Sequence, residues 1–483
     1  MQIKLSTALR YACITDFFTD WRVAFPVPDY ILRSKKMTRQ VPEEVRSAEG
    51  DEYPSPFRAW GMVVLLTIAY AISFVDRQII NLMVEPIKAD LQLSDTQISL
   101  LLGFAFGLFY TIMGIPLGRA ADKYNRRNLI VGGMTLWCLM TAASGLARNF
   151  TQLFIARLGI GAGEAALSPA ALSVISDSFP PEKRTSPIGF YNSAIYIGSG
   201  LAMLLGGAII QLVSSAPPFD APFIGELLPW QTTFIIVGIP GLIVAFIIAL
   251  TREPSRKDVL REQDGDATEL SFPDVVRYVW IRRGIYGPIF VGMAVVAVVN
   301  FMFLAWIPTL YIRLHSWDVS SIGYAFGTIL LIFGPLGIAL GGRLGDYYAL
   351  RGDAGGHTKA AYAGSLFMVP GMLLTPIFPN ATVALVGLAL IPFGMAFITV
   401  NIVTAILRVT PNQLRGQVYA VLLMVMTMAG STLGPTGVAL ITDYVFKDEM
   451  MIGYSMLTVA IGTAFFSNFA FYRCMRTFRE LKL

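Results

Sequence analysis

The sequence predicts an all-α membrane protein, with twelve transmembrane helices in two pseudo-symmetric six-helix halves. Three observations lead there. Of 483 residues, 55% are hydrophobic and only 14% charged, with a mean hydropathy of +0.60. The chain carries 44 Gly and 27 Pro. Bilayer-spanning helices tolerate that load, because neighbouring helices re-satisfy the backbone and small residues allow close approach. Finally, twelve apolar runs can be marked, each long enough to cross a hydrocarbon core of about 30 Å.

In chain order, a tail over residues 1–55 precedes a first half over 56–250. Its runs are Pro56–Val84, Thr96–Leu117, Leu129–Leu146, Phe150–Val174, Ile188–Leu212 and Thr233–Leu250. Pro116 is placed to bend the second. Gly159-x-Gly161-x-Gly163 marks the fourth as a close-packing surface; it lacks the third glycine of a dinucleotide loop and lies in an apolar run. A polar linker over 251–287 follows, with Arg252, Glu253, Arg256, Lys257 and Asp258 crowded together. It reads as solvated rather than as the site of a bound regulator. The second half, 288–475, has Pro288–Tyr311, Ile322–Leu344, Ala360–Ile377, Thr382–Leu407, Val418–Ile441 and Met451–Phe471, then a tail over 476–483. Pro308, Pro335 and Pro392 are candidate bends in the seventh, eighth and tenth.

The Lys and Arg residues set the orientation. Connections on the side of the termini hold most of them, while the six opposite connections hold only Lys88, Arg148, Arg313 and Lys447. Both termini are therefore expected in the cytoplasm, with the chain multi-pass in the cell's inner (plasma) membrane. The net charge of +5 expresses this bias and implies no nucleic acid. Residues 1–36 contain no signal-peptide core, since Asp16, Asp20 and Arg22 interrupt Phe17, Phe18 and Trp21. Met37 opens a polar stretch, so 1–36 reads as an extension before an alternative start. Cys13, Cys138 and Cys474 form no disulfide or metal pattern. His315 and His357 both fall in predicted loops, so proton coupling is expected to use carboxylates. With no phosphate-binding loop and no Ser/His/Asp or metal constellation, neither an enzyme nor a cofactor is expected.

The chemistry concentrates in four ionisable residues inside apolar runs: Asp76 and Arg77 in the first, Arg157 and Glu164 in the fourth. Charges at bilayer depth are costly unless they pair or line a wet cavity, so such residues are functional candidates. Arg157 and Glu164 lie two helical turns apart on one face, about 10 Å along the axis, and Ser168 continues it. Asp76 falls at the depth of Arg157, and the two are expected to pair across a common cavity. Glu164 is expected deeper and further from the arginines, with Arg77 rotated about 100° from Asp76. The alternative is a structural network that ties first-half helices together. All four ionised sum to zero; protonating Glu164 or Asp76 leaves +1, able to receive an anion. Glu164 is taken as proton carrier, with Asp76 tuning Arg77 and Arg157 at the anion. The second half offers Asn300, Asn401 and an aromatic cluster of Phe301, Phe303, Trp306 and Tyr311. A polar wall facing an apolar one suits a small amphipathic anion, contacted by Arg77, Arg157, Ser168, Asn300, Phe301 and Trp306.

The halves repeat. Pro180-Pro181-Glu182-Lys183-Arg184 leads into the fifth run and Pro411-Asn412-Gln413-Leu414-Arg415 into the eleventh, with Gly206 and Gly437 each 22 residues beyond the Arg. Gly118-Arg119-Ala120-Ala121-Asp122 matches Gly342-Arg343-Leu344-Gly345-Asp346. Parallel halves around a central site fit alternating access. Gly118-x3-Asp122-Lys123-x-Asn125-Arg126-Arg127 resembles the loop 2–3 signature of the major facilitator superfamily, with Asn125 where Gly is usual. Arg157-x3-Gly161-x-Gly163-Glu164-Ala165 resembles its fourth-helix pattern. The resemblance covers nearly all of 56–475 and implies a gating role for Gly118, Asp122, Lys123, Arg126, Arg127, Arg184, Asp346 and Arg415. In that family the Asp at the place of Asp122 holds the two halves together when the cavity opens outward. The second copy departs from the pattern at Tyr347-Tyr348-Ala349-Leu350-Arg351. Phe74-Val75-Asp76-Arg77, Gly163-Glu164-Ala165 and Gly198-Ser199-Gly200-Leu201 after Phe190-Tyr191 resemble the Spinster branch, whose members carry lysolipids or sphingosine phosphate. The expectation is a monomeric, proton-coupled secondary transporter of such an amphipathic anion. A symporter of small organic anions, such as sugar acids or aromatic acids, and a non-transporting receptor are the alternatives.

Overall fold

The structure, a computed structural model, describes residues 53–215, 219–221, 225–256, 272–353, 355–411 and 414–480. The alternative start at Met37 and the middle of the linker lie outside them. Twelve long helices are present among the described residues. In the first half they are α1 Pro56–Leu82, α2 Asp95–Lys123, α3 Arg126–Ser144, α4 Phe150–Ser178, α5 Thr185–Ser215 and α6 Pro229–Ala249. In the second they are α7 Arg283–His315, α8 Val319–Leu350, α9 Gly356–Leu374, α10 Ala381–Val409, α11 Arg415–Leu440 and α12 Ile452–Glu480. Ten are long and apolar enough to cross a membrane. The other two, α3 and α9, have 19 residues each and still rise about 28 Å.

Helix starts follow the side chains that can accept orphan N–H groups. Asn125 caps α3, Asn149 α4, Asp318 α8 and Asn380 α10, while Ser94 and Gln97 form a capping box on α2. Several helices outrun their apolar stretches; α7 spans Arg283–His315 rather than Pro288–Tyr311, since extending a formed helix adds one hydrogen bond per residue ordered. Two short helices, Val84–Leu91 and Phe272–Ile281, and a hairpin pairing Phe219–Ala221 with Gly225–Leu227 were not legible as apolar runs.

The internal repeat survives in three dimensions. Arg184 Nε donates to the Phe179 carbonyl at 3.0 Å and Arg415 Nε to the Thr410 carbonyl at 3.1 Å. Each arginine thus reaches the same number of residues upstream to close the end of the preceding helix. Within the halves α1 packs on α5, α3 on α4 and α6, α7 on α11, and α9 on α10. Small residues make these approaches close. A methyl added to Gly163 would lie 2.7 Å from the Gly133 carbonyl and 2.8 Å from the Trp137 amide.

Between halves, α5 meets α8 and α2 meets α11. A methyl on Gly327 would lie 2.7 Å from the Gly200 carbonyl, one on Gly323 2.8 Å from that of Met203, and one on Gly103 would overlap the Ser431 carbonyl. All these contacts fall in the parts of the helices remote from the chain termini. Toward the termini, methyls on Gly114, Gly118, Gly189, Gly342 and Gly416 would meet nothing within 4 Å. The halves therefore meet on the face opposite the termini and part on the terminus face.

Replacing Gly163 by Val is expected to wedge α3 from α4 and lower stability by about 1–3 kcal/mol, read as a fall in detergent melting temperature. Gly61→Ala, at a position with open space around it, is expected to change it little; equal melting of the two variants would contradict this packing.

Candidate substrate site

The site begins with a helix break. Pro169 offers no N–H to the carbonyl four residues back, at Ala165, and crowds it. The α4 helix accordingly stops at Glu164 and resumes at Leu167. Opposite, α2 contains a π turn over Leu100–Phe104, which frees backbone groups from the regular ladder. Arg157 Nε takes the Leu101 carbonyl at 3.1 Å, and its Nη2 approaches the Arg77 carbonyl at 3.4 Å.

These distortions decide which charges pair. Arg77 Nη2 meets Glu164 Oε2 at 2.5 Å, and the Arg77 guanidinium lies over the Phe106, Phe74 and Tyr110 rings at 4.3, 4.9 and 5.4 Å. Asp76, turned the other way on α1, accepts from Trp137 Nε1 at 3.0 Å. The pairing expected between Asp76 and Arg157 is not formed, and Glu164 is not remote from the arginines: it touches one. The rotation between adjacent residues sends Arg77, not Asp76, to the α4 side, while the π turn gives Arg157 backbone partners instead. Asp76, Arg157 and Glu164 are 0%, 0% and 2% exposed. Among the described residues, Asp76 Oδ1, Arg77 Nε, Arg157 Nη1 and Glu164 Oε1 have no hydrogen-bond partner.

A cavity of about 260 Å³ lies between the halves. From α1 and α5 come Phe74, Arg77, Gln78, Tyr196 and Ser199. From α7, α10 and α11 come an apolar sheet including Met293, Val296, Phe301, Met395 and Met426, with Asn300, Thr399, Tyr419 and Thr427 as its polar points. Among the described residues lining it, Arg77 is the one charged side chain. Asn300 and Phe301 line the cavity as expected, but Arg157 does not. Trp306 is also absent from the lining: it is buried, with Nε1 donating to the Pro435 carbonyl at 3.0 Å, where it helps seat α7 on α11. Ser168 instead shares a hydrogen bond of 3.3 Å with Tyr191, whose ring stacks on Tyr70 at 4.8 Å. Trp137, Phe106, Gln78 and Tyr419 had no distinguishing signal in the sequence.

On the terminus face, Gly118, Lys123 and Asp122 lie at the end of α2, the last two exposed. Arg126 is fully buried, paired with Asp177 and bonded to Glu253 at 2.7 Å. Arg127 reaches the Thr251 carbonyl at 2.8 Å. Arg256 donates to the carbonyls of Ala121, Asp122 and Tyr124, so the start of the linker is tied to this loop rather than wholly solvated. Asp346 is exposed, 3.9 Å from His357. His357 is not a loop residue: it is buried at the start of α9, its Nδ1 3.0 Å from Asn401 Oδ1. Asn401 is held in turn, its Nδ2 donating to the Gly341 and Phe397 carbonyls at 2.8 and 2.9 Å.

The closed face carries an ion cluster that loop charges alone did not reveal. Arg313, ending α7, grips Asp95 with two contacts of 2.8 Å and Glu85 with one of 2.8 Å. Lys88 bridges Asp95 at 2.6 Å and Glu449 at 2.5 Å. Asp443 accepts from the Thr96 amide and hydroxyl at 2.7 and 2.6 Å. Every one of these, save Lys88 with Asp95, joins one half to the other.

Two predictions follow from this geometry. Glu164→Ala strands Arg77 in a buried site and is expected to cost about 3–5 kcal/mol. Asp76→Asn, which keeps the acceptor for Trp137, should cost about 1 kcal/mol or less; unfolding midpoints in detergent compare them. Arg313→Met is expected to loosen the closed face. A cysteine at Thr427, in a background without Cys13, Cys138 and Cys474, should then react several-fold faster with an impermeant maleimide added on that face. An unchanged rate would mean that the cluster does not hold the halves.

Comparisons agree with this architecture. The Major Facilitator Superfamily profile matches residues 66–435. An "MFS-type efflux pump" of Mycolicibacterium smegmatis is 27% identical over 399 residues, 81% of this chain and 86% of that protein. A "Probable L-galactonate transporter" of Escherichia coli is 28% identical over 353 residues, 70% and 72% of the two chains. The crystal structure of a bacterial homolog to the human lysosomal transporter Spinster, inward-facing and unoccupied, is similar with a TM-score of 0.75 and 26% identity, covering 88% of this chain and 98% of that one. With the profile spanning most of the helical region and the Spinster homolog sharing its architecture, the chain belongs to the major facilitator superfamily of membrane transporters.

Proposed function

We propose that the chain moves an amphipathic anion, such as a lysophospholipid, by proton-coupled alternating access. One observation carries this reading: in the central cavity Arg77, the one cation among the described lining residues, faces a wall of Met, Val and Phe side chains. An anionic head at Arg77 and an alkyl tail along α7, α10 and α11 would satisfy both sides. The Lys and Arg bias supports a cytoplasmic terminus face in the inner membrane, which makes the present state inward-open. The protein is taken to act as a monomer.

Coupling rests on competition for Arg77. Glu164 occupies its guanidinium at 2.5 Å, so an arriving anion must share or displace that carboxylate. Protonating Glu164 removes the competitor and leaves the cluster one charge more positive. By linkage, substrate then binds more tightly as pH falls, by up to about tenfold per pH unit for one proton. Asp76, buried and accepting a hydrogen bond from Trp137, is the second carboxylate that can take the proton.

The relative named for L-galactonate, a sugar acid, supports the alternative, a small organic anion symporter; such a substrate needs many polar contacts, and Asn300, Thr399, Tyr419, Gln78 and Ser199 could supply some of them. Proteoliposomes containing a pH-sensitive dye separate the two, given lysophospholipid or an aldonate, with protein-free vesicles controlling for lysolipid leak. The expected result is a lysolipid-dependent proton signal in wild type that Glu164→Gln loses. A signal with the aldonate alone would transfer the reading to the symporter; coupled flux persisting in Glu164→Gln would move the proton to Asp76.

A further inference from the structure

The helix Phe272–Ile281, joined to α7 through a break at Arg282, has two unlike faces. Val275 is 1% exposed, and with Tyr278 and Val279 it packs into the core of the second half. This is the i, i+3, i+4 stripe of an amphipathic helix. The other side carries Trp280 at 68% exposure, with Val276 and Ile281 also exposed. Apolar surface of this size is not stable against water on a soluble face. Beside it stand Arg277, Arg282 and Arg283, all exposed.

The cations are organised by the aromatics. Arg282 lies over the Tyr278 ring at 4.7 Å and donates to its hydroxyl at 2.8 Å, and Arg283 lies over the Trp280 ring at 5.8 Å. Among the described residues, no carboxylate pairs with these three arginines. Asp274, the acidic residue of the helix, is half-buried and has a partner of its own. An exposed Trp flanked by guanidiniums, at the mouth of a membrane-spanning helix, matches the boundary between acyl chains and headgroups.

We propose that this helix is an interfacial anchor whose arginines bind the phosphates of anionic lipids in the leaflet on the terminus face. Trp280, Val276 and Ile281 enter the acyl boundary, and the guanidiniums meet the headgroups above them. Because the helix leads directly into α7, a cavity-lining helix, lipid charge would bear on the position of that helix. The inference does not depend on which substrate the cavity takes.

The test uses the reconstituted full chain in phosphatidylcholine vesicles containing either brominated phosphatidylcholine or brominated phosphatidylglycerol at equal mole fraction. The Trp280 signal is the fluorescence difference between wild type and Trp280→Phe. Quenching is expected with both lipids and at least about twofold stronger with the phosphatidylglycerol, given the attraction each surface arginine exerts on anionic lipid. The excess should vanish in high salt on wild type and in R277Q/R282Q/R283Q, with phosphatidylcholine quenching retained. Equal quenching by the two lipids in wild type would overturn the headgroup assignment. Absence of quenching by either would put Trp280 in water and overturn the anchor itself.

Discussion

The contact between Arg77 and Glu164 is the constraint around which the first half is arranged. Neither charge is tolerable alone at that depth, and the pair exists because two helices are distorted to admit it. The break in α4 at Ala165 presents Glu164, and the π turn in α2 occupies Arg157 with a backbone carbonyl. Phe106, Phe74 and Tyr110 enclose the guanidinium in ring faces, which a cation favours over aliphatic surface. Arg77 nonetheless remains 15% exposed on its side chain while Glu164 is 1%. The cation therefore looks into the cavity and the carboxylate stands behind it.

The second constraint is where the two halves touch. Among the described residues, glycine contacts join α5 to α8 and α2 to α11 from mid-helix toward the ends away from the termini, and the Arg313 cluster lies beyond them on the same face. Asp122 and Asp346, exposed here, belong to the face that is open. The centre of the ionic cluster is buried, with Asp95, Arg313 and Lys88 side chains 0%, 5% and 10% exposed and Glu85 and Glu449 at its rim, so salt screens it little.

Much of this architecture was legible in the sequence. Apolar length marked the helices, and the arginines at 184 and 415 announced a repeat that reappears as two matching caps. The four charges were recognisable because bilayer depth makes any ionisable group conspicuous. Other parts were not. Trp306 in an apolar run looks the same whether it packs between helices or faces a ligand, and it packs. His357 sits next to a polar turn, so its burial against Asn401 depended on how α9 and α10 meet. Arg313 and Asp95 stand 218 residues apart, and no local pattern relates them.

The sequence by itself determined the fold class, the twofold repeat and the presence of four charges at membrane depth, because hydrophobic length and charge cost act residue by residue. The tertiary structure decided which charge meets which. A proline-induced break and a π turn each re-aim side chains by a fraction of a helical turn, and hydrogen bonds are sensitive to less. It also decided which face is closed, since that depends on backbones from opposite halves coming close enough that only glycine fits.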